Sequence, residues 1–175
     1  MADPITEAFQ KIIQEIYWIE DLEEAERILA EHLEMIDDDL REVLLERRRK
    51  ICSDPLRVIE LAHIEALIQS TDDTLTSKIL MTKSMVESTL LLQCTKSWSK
   101  LTPREKARIL APLYKASYGL ELALRGWPKH IDEILLDNAL QMAATAWERA
   151  EEKGLVNELE EFLEKLMENV EGGRT

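Results

Sequence analysis

The chain has 175 residues, 45% of them hydrophobic, and a formal net charge of −13, enough apolar material for one domain with a substantial core. Two cysteines without CxxC spacing, three histidines, and no Gly-rich phosphate loop, nucleophile elbow or HExxH sequence remove the readable redox, zinc and hydrolase signatures. The most apolar region is uncharged only from Ser88 to Thr95, well short of the roughly 18 residues of a membrane span. The N-terminus also lacks the basic-then-apolar layout of a secretory leader, so the expected compartment is the cytoplasm.

Apolar residues recur at three and four almost throughout, without the alternation of strands, and predict an all-α fold. The first helix runs from about Ile5 to Trp18, with Phe9, Ile12, Ile13, Ile16 and Tyr17 inward. A second opens near Asp21, carries Leu22, Ala25, Ile28, Leu29, Leu33 and Ile36, and continues or bends at Asp37 towards Ile51. Asp54-Pro55 is an N-cap followed by a first-turn proline, opening a helix to about Gln69. Past the cluster Thr71-Asp72-Asp73-Thr74, a long helix is expected to reach Trp98, apolar on nearly every side and therefore central. Thr102-Pro103-Arg104-Glu105 reads as a capping box. In the helix it opens, Pro112 predicts a kink or break by removing a donor to the Arg108 carbonyl. Gly126-Trp127-Pro128 interrupts the chain again. A helix then runs to about Lys153, with Gly154 as its left-handed end, and Leu155, Leu159, Phe162 and Leu166 mark a final amphipathic helix. The expectation is a compact bundle of about seven helices, with a central apolar helix near 74–98, in a single domain over 1–171 and a frayed tail at 172–175.

Charge is strongly partitioned. Residues 1–40 hold 13 acidic and 2 basic side chains and residues 131–175 hold 12 and 4, whereas residues 74–130 hold 3 and 10. At about 100° per residue, Arg104, Arg108 and Lys115 form one stripe on the helix after Thr102. Lys96 and Lys100 lead into the stripe and Lys129 follows it, with Trp98 and Trp127 as candidate aromatic contacts. The stripe either pairs with the chain's own acidic helices or contacts phosphates or an acidic partner. Arg47, Arg48, Arg49 and Lys50 form a second basic run at a helix C-terminus, more cations than the helix dipole needs.

Other patterns are incomplete. Glu60-x-x-His63 has di-iron spacing without a second copy. Asp38-Asp39-x-x-Glu42 and Glu31-x-x-Glu34 resemble magnesium-holding motifs of all-helical prenyl-transfer enzymes and nucleotide pyrophosphatases, but the matching second motif is missing. Cys52 and Cys94 read as two small buried thiols in preference to a disulfide, which is geometrically possible, and scarce Asn and Gln beside abundant Glu, Lys and Arg resemble a thermophile's balance. The sequence therefore names no catalytic residue, metal or cofactor. It points to a non-enzymatic assembly subunit or adaptor with a protein partner or homo-oligomer. The alternatives are a nucleic-acid-associated subunit using residues 96–129 and, more remotely, a magnesium-dependent phosphohydrolase.

Overall fold

The computed structural model describes residues 4–34, 38–69, 73–125 and 133–172. Among them are eight α-helices and no strand, one helix more than expected because the segment after Asp21 divides. The helices are α1 (Pro4–Trp18), α2 (Leu22–Glu34), α3 (Asp38–Ser53), α4 (Pro55–Gln69), α5 (Asp73–Leu90), α6 (Pro103–Arg125), α7 (Glu133–Glu152) and α8 (Leu155–Gly172). Two 3₁₀ helices, Leu91–Cys94 and Lys96–Lys100, connect α5 to α6. α8 includes Gly172, which the sequence assigns to the tail; residues 173–175 lie outside the described residues.

Local chemistry places the ends. Asp21 accepts from the Glu23 amide at 3.2 Å and Asp54 from the Arg57 amide at 3.3 Å, capping α2 and α4. At α6 the Thr102 hydroxyl accepts from the Glu105 amide at 3.2 Å, while Glu105 accepts from the Thr102 amide at 2.9 Å. These are the two reciprocal bonds of a capping box. Gly154, at φ 76°, turns the chain between α7 and α8, a conformation that costs a side-chain-bearing residue its Cβ sterics.

α6 is the central helix, packed against α7, α2, α1 and α5. It buries Ala107, Ala111, Leu113, Ala116 and Ala123, and α7 answers with Ala139, Ala143, Ala146 and Ala150. Such short side chains let the two helices approach closely and draw larger residues around them. The long helix expected near 74–98 is an inner one that buries Ile79 and Val86, yet it exposes Met81 and ends at Leu90 rather than Trp98. Its buried threonines are satisfied within the helix: Thr82 donates to the Lys78 carbonyl at 2.8 Å and Thr89 to the Met85 carbonyl at 2.6 Å. Beyond Leu90 the chain tightens to 3₁₀ geometry. Thr95 adopts extended dihedrals and its hydroxyl donates to the Leu92 carbonyl at 2.9 Å, which stops the helical run.

Pro112 does not break α6. The Arg108 carbonyl, deprived of a helical donor, accepts instead from Arg149 Nη1 of α7 at 2.8 Å. The same nitrogen pairs with Glu26 of α2, so one guanidinium ties three helices at the proline.

Candidate binding cleft

A cavity of about 530 Å³ lies between α1, α3 and α6, closed at one end by the 3₁₀ segment. The α6 wall is written at helical spacing: Lys106, Leu110, Tyr114, Ser117, Glu121 and Arg125 share a face at steps of three and four. α1 contributes Ile13 between Gln10 and Gln14, α3 contributes Leu44, Leu45, Arg47, Arg48 and Ile51, and Leu90 and Trp98 close the end. The result is an apolar floor with cations on two sides.

Arg48 is fixed by its backbone partner. Its Nε donates to the Gln93 carbonyl at 2.6 Å, a carbonyl that belongs to the first 3₁₀ turn. The same join is made covalently one residue later, where Cys52 and Cys94 form a disulfide with Cα atoms 5.5 Å apart. This corrects the expectation of two separate thiols. A separation of 42 residues in sequence conceals that α3 lies across the turn.

Electrostatics distinguish this cleft from an ordinary packing defect. Burial pushes the Lys106 ammonium below its ordinary range, and the nearby Arg48 charge lowers it further. Burial also pushes the Tyr114 phenol up to about 12, against a smaller opposing effect of Arg47, so the phenol stays neutral. Glu121 is the only carboxylate among the described lining residues, and it pairs with Arg125 at 3.1 Å. Lys106 makes no ion pair with a described residue, and it shares the cleft with the Arg48 guanidinium.

The basic stripe divides. Lys96, Lys100, Arg104 and Arg108 are exposed and form no ion pair with a described residue. Lys115 lies on the same side of α6 by helical phase but is buried, because the end of α1 packs over it. Its Nζ donates to the Tyr17 carbonyl at 3.2 Å and to the Ile19 carbonyl. α1 has no basic residue in its last turn, so Lys115 caps its C-terminal carbonyls from another helix. Burial lowers the pKa of Lys115, partly opposed by Glu20. Lys115 is therefore a structural cation and leaves the candidate surface.

Trp98 is 5% exposed and forms the end wall of the cleft rather than an outward stacking face. Arg47 and Arg48 line the cleft, and Arg48 and Arg49 line a smaller cavity beside the disulfide. Lys50 is exposed, while Arg49 is bound to Glu46 at 2.8 Å. Trp127 and Lys129 lie outside the described residues.

Among the described residues no group of three or more His, Cys, Asp or Glu side chains is placed to hold a metal ion. Glu60 pairs with Arg57 at 3.0 Å, and the side chain of His63 is outside the described set. Glu31 pairs with Arg27 at 2.7 Å, and the side chains of Asp38 and Asp39 are likewise outside it. No described helix is long and apolar enough to cross a membrane. The cleft is the feature the sequence reading misses: its walls come from helices distant in sequence, although the 106–110–114–117–121 spacing was legible. No protein-family model, curated protein or solved structure matches the chain.

Proposed function

We propose that the chain is a non-enzymatic interaction domain, a small subunit or adaptor, and that the cleft between α1, α3 and α6 is its recognition surface. The observation that carries this reading is the apolar, cation-flanked cavity. Convergent polar groups around an apolar concavity are the usual anatomy of a binding site. Lys106 and Arg48 repel one another there, an arrangement that a bound anion would relieve. Native purification of the full chain tests it, comparing wild type with Leu45→Glu/Lys106→Glu, which places acids at the rim. A companion that follows the wild type and is lost from the folded variant supports the reading; one retained equally by both overturns the cleft as the surface.

A second reading rests on the exposed cations Lys96, Lys100, Arg104 and Arg108. Four such groups suit the phosphates of a nucleic acid, whose binding would fall steeply with salt. Arg104→Glu/Arg108→Glu should then weaken binding at every sequence tested. Unchanged affinity would remove this surface from consideration.

A further inference from the structure

We propose that the cleft binds a soluble single-chain amphiphile with an anionic head, a carboxylate or phosphate monoester, with its alkyl chain along the apolar floor. This deepens the proposed function and rests on the cleft being the recognition surface.

Volume narrows the occupant. At about 530 Å³ the cavity falls within the roughly 300–1,000 Å³ of small-molecule sites. Ile13, Ile51, Leu90 and Leu110 offer an alkyl chain apolar contact, with the neutral Tyr114 phenol and the Gln10, Gln14 and Ser117 side chains beside them. Charge then sets the orientation. Arg48 is anchored through Nε on the Gln93 carbonyl, which leaves its Nη groups as donors, and Lys106 lies near enough to feel its charge. A head group seated between them gains two charge-assisted hydrogen bonds and neutralises the repulsion. The lining carboxylate, Glu121, is occupied by Arg125 and does not compete.

Calorimetric titration of the full chain with dodecanoate, dodecyl phosphate, dodecanol and dodecyltrimethylammonium, each below its micellar concentration, tests the proposal. The two anions should bind saturably with one site and at least about tenfold more tightly than the alcohol, as one charge-assisted hydrogen bond implies. The cation should bind least. Lys106→Gln should remove most of the preference for the anions over dodecanol. Equal binding of all four heads, no saturable binding, or an anion preference untouched by Lys106→Gln would each overturn it. Stronger binding to anionic vesicles than to monomeric dodecanoate would also overturn it, in favour of a membrane surface. Should Leu45→Glu/Lys106→Glu abolish companion capture while no amphiphile binds, the cleft reading stands and this inference fails. Should dodecanoate bind while capture ignores the cleft, the adaptor reading fails instead.

Discussion

Replacing Arg149 by Met removes both bonds that the guanidinium makes at the proline of α6. The Arg108 carbonyl loses its donor at 2.8 Å, and Glu26 is left without its partner where the two side chains are only 19% and 14% exposed. Breaking a fully buried ion pair costs about 3–5 kcal/mol. Partial access of water to both acceptors reduces that, so we expect about 2–3 kcal/mol from urea denaturation. The diagnostic step is a double-mutant cycle with Pro112→Ala, which returns an N–H to the Arg108 carbonyl. In that background Arg149→Met should cost about 1 kcal/mol less, because the carbonyl no longer depends on the side chain. Strict additivity of the two substitutions would refute the idea that Arg149 replaces the donor that proline lacks.

Three further outcomes follow from the same contacts. Hydrogen bonds from Lys153 and from the Thr102 backbone and hydroxyl hold the Glu105 carboxyl down to about 2, below its ordinary 4.5. Its stabilising contribution is full above about pH 4.5 and is lost as pH falls towards 2, so thermal unfolding of Glu105→Gln should show a flatter acid limb; identical limbs would contradict this. Cys52→Ser/Cys94→Ser removes a cross-link spanning 42 residues and should cost about 2–4 kcal/mol. Reductant should destabilise wild type but not this variant. Lys115→Met keeps the apolar stem and removes the donor to the Tyr17 and Ile19 carbonyls, for an expected loss of about 1–3 kcal/mol. Hydrogen exchange should quicken in α1, and unchanged protection there would argue against the cap.

Where a signal is local, the sequence reads well. Asp54, the Thr102–Glu105 box and Gly154 each act within four residues of themselves, and all three hold. Pro112 shows how a correct local inference meets a tertiary answer. The missing hydrogen bond is real, but α7 supplies the donor and the helix runs on. Apolarity on every side of residues 74–98 could not tell one inner helix from an inner helix followed by two 3₁₀ turns, since that choice turns on Thr95 and its Leu92 partner. The sequence ranks the disulfide below two separate thiols for the same reason: only the crossing of α3 over the turn brings Cys52 to Cys94.

The candidate site exposes the deeper limit of reading charge from a helical wheel. α6 carries three kinds of basic residue, and sequence phase sorts them incompletely. Arg104 and Arg108 meet solvent, whereas Lys115, on their side of the helix, is covered by α1 and spends its charge on backbone carbonyls. Lys106 faces the opposite way, beside residues whose apolar spacing suggests core packing. There it becomes partly buried without a described carboxylate partner, and α3 brings Arg48 to that side. A cation that closes a helix end has already exchanged water for fixed acceptors, so little of its charge remains for a ligand. Lys106 makes no such exchange with a described residue, and Arg48 keeps its Nη groups as donors beyond the Gln93 carbonyl, which is why the proposed anion site is placed in the cleft rather than on the longer basic stripe.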